Sequence, residues 1–246
     1  MKTQRKVYLL MMMAGKGTRF GADVPKQFVL INDNEPIFIY SLKHLNEIDK
    51  IDEMIVITNA DYLTETQKWI KDFKINKVSA VLTGGAGRQL DVLKGLKSIK
   101  NANANDIVLI YDATHPIVDK EGCEKVIDAL YENDAVTLAE YQFDTTYKID
   151  KETDYIVDTI DRKEIIAGAS PEGFKYKVIF DTFNNFTEED LKKGTSAGAV
   201  MLKNNIKMLA IKTNVVNLKI TYPADFDNFI KIANSERNWK LWWTHY

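Results

Sequence analysis

A glycine-rich run, Ala14-Gly15-Lys16-Gly17-Thr18-Arg19-Phe20-Gly21, is followed closely by Pro25-Lys26-Gln27-Phe28. Glycines let a backbone approach a phosphate and turn its N–H groups toward it. An arginine can fork onto phosphate oxygens. The spacing is not that of a P-loop, which needs Gly-x-x-x-x-Gly-Lys-Ser/Thr. It is also not a dinucleotide fingerprint: Phe20 takes the place of the third glycine, and no acid closes a strand about 20 residues on. Gly-x-Gly-x-x-Arg followed by Pro-Lys-Gln suits a grip on a nucleoside triphosphate. Attack on an α-phosphate builds negative charge there and on the departing pyrophosphate, and fixed cations are the main means of stabilising it. Arg19 and Lys26 are the candidate cations.

Further clusters follow in order. Gly84-Gly85-Ala86-Gly87-Arg88 precedes a helical pattern containing Asp91, and Tyr111-Asp112-Ala113-Thr114-His115-Pro116 closes an apolar run. Asp144-Thr145, Asp161-Arg162 and Ser170-Pro171 come next, then Asn217-Leu218-Lys219-Ile220-Thr221 with Pro223 and Asp225. Read alone, a glycine pair is a turn, an Asp after a strand is a cap, and Lys219 is an exposed residue on a strand running into a proline turn. Taken together and in this order, from about residue 7 to residue 230, they resemble the 2-C-methyl-D-erythritol 4-phosphate cytidylyltransferase family and its relatives, the D-ribitol 5-phosphate cytidylyltransferases of teichoic acid synthesis.

The resemblance implies transfer of CMP from CTP to a polyol phosphate with release of pyrophosphate, in isoprenoid or teichoic acid biosynthesis. Arg19, Lys26 and Lys219 would be the catalytic cations. Ala14, Gly15, Lys16, Gly17, Gly84, Gly85, Arg88 and Asp91 would bind the nucleotide. Asp112, Thr145, Arg162, Ser170 and Lys219 would hold the polyol phosphate, with Arg162 and Ser170 reaching into a neighbouring subunit's site. Asp112 would lie at a Mg²⁺ ion. Several positions depart from the family pattern: Asp91 for Ser, His115 for Arg, Glu172 for Gln and Ser196 for Asp. These departures leave open another sugar or polyol phosphate as acceptor, or an inactive nucleotide-binding homologue.

The elements that must position these residues alternate. Strands are expected at Val7–Met13, Glu53–Thr58, Lys77–Leu82 and Ile107–Tyr111. Helices are expected at Pro36–Asn46, Asp61–Phe73, Arg88–Ile99 and Lys120–Tyr131. Such alternation predicts an α/β fold, a Rossmann-like, mostly parallel sheet with helices on both faces, with ligands bound beyond the carboxyl ends of the strands. The resemblance specifies the nucleotide-diphospho-sugar transferase type. Val136–Ser170 reads as two extended strands about a polar turn, a β-arm at about 138–168 projecting from a single domain of residues 1–246. An isolated hairpin is marginal in water, so the arm is expected to pack on a second copy in a homodimer. The stretch Asn238–Tyr246, with three tryptophans, reads as a terminal helix docked by its aromatic side.

Composition narrows the remaining classes. Lys+Arg 33 against Asp+Glu 35 argues against a broad basic face for nucleic acid. The single cysteine, Cys123, excludes an intramolecular disulfide and a Cys-rich zinc site, and reads as a small residue on a helix. The apolar run after Arg5 and Lys6 is too short for a membrane span and leads into a glycine turn, which suits a buried strand rather than a signal peptide. A cytoplasmic enzyme with no membrane partner is expected.

Overall fold

Strand β1, Val7–Met13, is buried at all seven positions, as a central strand covered on both faces must be. Its side chains alternate between two cores. Val7, Leu9, Met11 and Met13 enter one, and Tyr8, Leu10 and Met12 the other. Each buried Leu or Met contributes about 1.5–3 kcal/mol, so this strand anchors both layers. The computed structural model describes residues 5–15, 17, 20–21, 24–31 and 34–234. Lys16, Arg19 and the stretch Asn238–Tyr246 lie outside the described residues.

The remaining strands are β2 (Leu30–Ile31), β3 (Glu35–Pro36), β4 (Glu53–Asn59), β5 (Val78–Gly84), β6 (Ile107–Asp112), β7 (Ala135–Tyr141), β8 (Thr146–Ile149), β9 (Ile156–Ile160), β10 (Ile166–Lys175) and β11 (Leu209–Lys212). The helices are α1 (Ile37–Asn46), α2 (Leu63–Asp72), α3 (Arg88–Ser98), α4 (Lys120–Ala129), α5 (Tyr176–Asn185), α6 (Glu188–Lys192), α7 (Ala197–Lys203) and α8 (Pro223–Ala233). The main sheet runs β11-β7-β10-β6-β1-β4-β5. β10 is antiparallel to both its neighbours, and the other adjacent pairs are parallel. Helices α1, α2 and α4 pack into one core, and α3, α5, α6 and α7 into the other. No described helix is long and apolar enough to cross a membrane. Cys123 is buried on α4, as its size and context suggested.

Two expectations need correction. The arm is shorter than 138–168. Residues up to Tyr141 and from Ile166 onward pair with each other inside the main sheet, where Val136, Leu138 and Ala139 are buried. Only the hairpin β8–β9 and its flanks stand out, with every residue of β9 exposed. Its turn is polar as expected, with Asp150 accepting from the N–H groups of Glu152 and Thr153. The second correction concerns Asn217–Thr221, which is not a strand. It is held piecemeal instead: the backbone N–H of Ile220 donates to the Thr114 carbonyl, and the side-chain amide of Asn217 donates to the Gly168 carbonyl.

Candidate active site

The carboxyl ends of β1, β4, β5 and β6 open into a cleft of about 480 Å³. At the end of β1, the buried Gln27 amide donates to the carbonyl oxygens of Met13 and Gly15 at 2.7 and 2.9 Å, fixing the start of the glycine-rich run. Phe28, stacked on Tyr62 and edge-on to Phe38, anchors the same short turn. Lys26 is thereby held at the cleft. Its Nζ donates to the Ile220 carbonyl at 2.6 Å, tying the first motif to the last.

At the end of β5, Gly84 is required by contact. A Cβ there would meet Ile57 Cγ2 at 2.6 Å, and both Ala14 Cβ and Asp91 Cγ at 2.8 Å. Gly85 and Gly87, at φ of +117° and +139°, turn the chain through a region that side chains rarely adopt. Asp91, in the first turn of α3, closes this turn: its two oxygens accept the Gly85 N–H at 2.9 and 3.0 Å. Burial pushes the Asp91 carboxyl above its ordinary value, and the bonds from Gly85 and Ala86 and the charge of Lys94 only partly offset it.

At the end of β6, Asp112 gathers two cations. Arg88 donates to Oδ1 through Nη2 at 2.9 Å and Nε at 3.3 Å, and Lys219 donates to Oδ2 at 3.2 Å. Burial raises the Asp112 carboxyl, but Arg88 and Lys219, with His115, more than offset this and hold it at about 2. Asp112 is therefore ionised at neutral pH. His115, at the position where a permanent cation was expected, is buried, and its ring bonds to the Asn217 side chain. Burial lowers it to about 4 against the pull of Asp112, so the imidazole is neutral.

Of the residues singled out in the sequence, Ala14, Gly15, Gly17, Lys26, Gly85, Arg88, Asp91, Asp112 and Lys219 line this cleft, and Gly84 packs beneath it. Thr145 and Arg162 lie exposed on the arm, away from the cleft of their own chain, with Arg162 donating to the Phe143 carbonyl. Ser170, expected to reach toward a neighbour, lies instead beside its own chain's Asp112, whose N–H donates to its hydroxyl at 3.4 Å. It is carried there by β10, which belongs to the main sheet. Two departures from the family pattern serve a helix rather than the cleft. Glu172 accepts from the N–H groups of Ala197 and Gly198, and Ser196 caps α7 through the Ala199 N–H. Gln27, Asn59, Gly87 and Thr114 also line the cleft and were not singled out as site residues. Asn59 ends β4, so its strand-end position was the available signal. Gln27 acts through a buried amide that only the fold reveals.

Three cationic side chains and one ionised carboxylate around an open cleft can hold a polyanion and neutralise charge that develops on it. Comparison with known proteins shows the family. The family model described as "IspD: 2-C-methyl-D-erythritol 4-phosphate cytidylyltransferase" matches residues 7–232. A 2-C-methyl-D-erythritol 4-phosphate cytidylyltransferase of Clostridium botulinum (strain Langeland) is 30% identical over 217 residues, 88% of this chain and 93% of that one. A ribitol-5-phosphate cytidylyltransferase of Lactiplantibacillus plantarum is 27% identical over 223 residues, 89% and 94% of the two chains. The fold matches the crystal structure of 4-diphosphocytidyl-2C-methyl-D-erythritol synthase from Anaerococcus prevotii with a TM-score of 0.77 at 20% identity, covering 94% of this chain and 100% of that one. The chain belongs to the 2-C-methyl-D-erythritol 4-phosphate cytidylyltransferase family.

Proposed function

We propose that the protein transfers CMP from CTP to a small polyol phosphate, either 2-C-methyl-D-erythritol 4-phosphate or D-ribitol 5-phosphate. The observation that carries this reading is the convergence of Lys26, Arg88 and Lys219 around Asp112 at the carboxyl ends of the strands. A phosphate oxygen of the polyol attacks the α-phosphorus in line. The new O–P bond forms as the bond to the β-phosphate oxygen breaks, and pyrophosphate leaves with the electron pair. A phosphate dianion is already a nucleophile near neutral pH, so no side-chain base is needed. The protein's part is orientation and charge stabilisation. Lys26 and Lys219 neutralise charge building on the α-phosphate and the leaving group, with Arg19 of the same motif assigned to that task by the family pattern. Arg88 holds Asp112 in place, and the turn at Gly84–Gly87 receives the nucleotide.

The donor set suits Mg²⁺. Among the described residues no group of three or more His, Cys, Asp or Glu could hold a metal by itself. Mg²⁺, however, usually binds through one or two carboxylates plus substrate phosphates. Asp112 is ionised, lines the cleft and keeps free lone pairs beside its two cations. When bound beside Asp112, the ion would neutralise charge on the triphosphate.

The reading extends to a homodimer in which the arm's exposed apolar residues are covered by a second copy, bringing Thr145 and Arg162 to the partner's cleft. It extends also to a cytoplasmic location. The test is pyrophosphate release with CTP and Mg²⁺, run separately with each polyol phosphate. Release with one acceptor identifies the substrate, and silence with both while CTP still binds would sink the assignment of these acceptors.

A further inference from the structure

Asp119 is a carboxylate buried outside the cleft, at 4% exposure. One oxygen accepts the Gly122 N–H at 2.8 Å and so caps α4. The other accepts the Thr213 hydroxyl at 2.8 Å and the Asn214 N–H at 3.0 Å, 94 and 95 positions away. Thr213 is itself buried, just past the end of β11. A buried carboxylate is tolerated only where donors surround it. Here the donors are divided between a helix start and a loop, so the same carboxylate fixes the loop on the helix.

That loop leads to Lys219. From Thr213 to Ile220 the backbone is neither helix nor strand, and the same holds from Ala113 to Asp119. The two stretches run antiparallel and are joined at three places. The Thr114 carbonyl accepts the Ile220 N–H at 2.9 Å, the His115 ring bonds to the Asn217 side chain, and Asp119 holds Thr213 and Asn214. The Asp112–Lys219 pair, 3.2 Å apart, stands at one end of the joined stretches and Asp119 at the other. A stretch without regular pairing keeps its conformational freedom unless tertiary bonds remove it. Lys219 is therefore only as well placed as the loop that carries it. We propose that Asp119 is a positioning residue for the transfer reaction: through Thr213 and Asn214 it fixes the loop that delivers Lys219 to the phosphates beside Asp112. This deepens the functional reading above and rests on its assignment of Lys219 to charge stabilisation. Asp119 itself touches neither the nucleotide nor the reacting phosphorus.

The test is steady-state pyrophosphate release from CTP with Mg²⁺ and each polyol phosphate, on the wild-type protein, T213V, T213S, D119N, K219A and the T213V/K219A double variant. Thermal melting establishes which variants are folded. Valine keeps the shape of Thr213 and loses its donor. Asparagine keeps the α4 cap but has one acceptor oxygen in place of two. T213V and D119N should each lose roughly tenfold in kcat, because a catalytic group displaced from a distance costs rate. KM for CTP should stay within about twofold, as expected when the lost interaction is made in the transition state. T213S keeps the hydroxyl and should stay within about twofold of the wild-type kcat. In the K219A background T213V should cost less than about twofold, since nothing is left to position. A merely structural role would lower the melting temperature and cost the same factor with or without Lys219. Wild-type protein that releases no pyrophosphate with either acceptor overturns the functional reading and this inference together. An active wild type whose kcat is kept in T213V and D119N, or in T213V alone where D119N does not fold, overturns this inference alone. So does an equal loss from T213V with and without Lys219.

Discussion

Lys219 reaches Asp112 at 3.2 Å across 107 positions of chain, and Arg88 takes the other oxygen of the same carboxylate at 2.9 Å. The carboxylate thus holds two cations ready for a polyanion that must share or displace them. Lys219→Ala and Lys26→Ala are each expected to lower turnover about 10²–10³-fold, the scale seen when one preorganised charge-stabilising group is lost. Far-ultraviolet circular dichroism should stay at the wild-type level, since Lys219 is half exposed and neither residue fills a core. Near-wild-type pyrophosphate release in either variant would count against its role.

Asp112→Asn removes the negative charge but keeps the shape. Without it, Arg88 and Lys219 face each other with no compensating carboxylate. The expected result is a turnover loss of about 10²-fold or more, together with a higher Mg²⁺ concentration for half-maximal rate. A Mg²⁺ titration that superimposes on the wild-type curve would separate Asp112 from the metal.

Gly84→Ala places a methyl 2.6 Å from Ile57 and 2.8 Å from Ala14. Neither neighbour is the free end of a long side chain. Destabilisation of about 1–3 kcal/mol is expected from such overpacking, read as a lower denaturation midpoint, with weaker CTP binding because the turn is displaced. Unchanged stability would mean that the strand ends are not packed this closely.

His115 links acid pH to stability. Its folded-state pKa is about 4 against an ordinary 6.5, because burial disfavours the charged ring and Lys219 and Arg88 add to this, while Asp112 and Asn217 oppose it. Between those values the unfolded chain binds a proton that the folded chain refuses. Stability is therefore lost as pH falls from about 6.5 toward about 4. At about 1.4 kcal/mol per pH unit the effect has a ceiling of roughly 3 kcal/mol. His115→Gln should flatten the decline in urea midpoint over that window, and an equally steep decline in the variant would assign it to other groups.

The hairpin β8–β9 predicts an assembly. Tyr155, Ile156 and Val157 are 74%, 60% and 57% exposed on a two-stranded element that is marginal by itself. Light scattering is expected to give a dimer at micromolar concentration. Ile156→Asp combined with Val157→Asp should give a monomer with impaired turnover, because Thr145 and Arg162 would no longer reach a partner's cleft. A wild-type protein that is monomeric and fully active would dismiss this arrangement.

Much of this protein is legible in local sequence. Seven successive apolar residues ending in a glycine run define β1 and the site at its end, since a strand buried on both faces needs a continuous apolar run. The helix after Gly87 and the strand ending at Asp112 follow from period and turn chemistry in the same way. The grouping of Lys26, Arg88, Asp112 and Lys219 into one family pattern was also readable, because residue types and order survive without coordinates. What only the tertiary structure decided is what each polar group faces. Asp91 looks like an added charge toward a ligand, and packing turns it onto the Gly85 N–H. His115 looks titratable near neutral pH, and burial makes it neutral. Ser170 looks like part of a projecting arm, and the buried pairing of β7 with β10 draws it back beside Asp112. Strand and helix preferences are set within a few residues. Hydrogen-bond partners and protonation depend on desolvation and on charges brought together from distant parts of the chain, and those exist only once the sheet has closed.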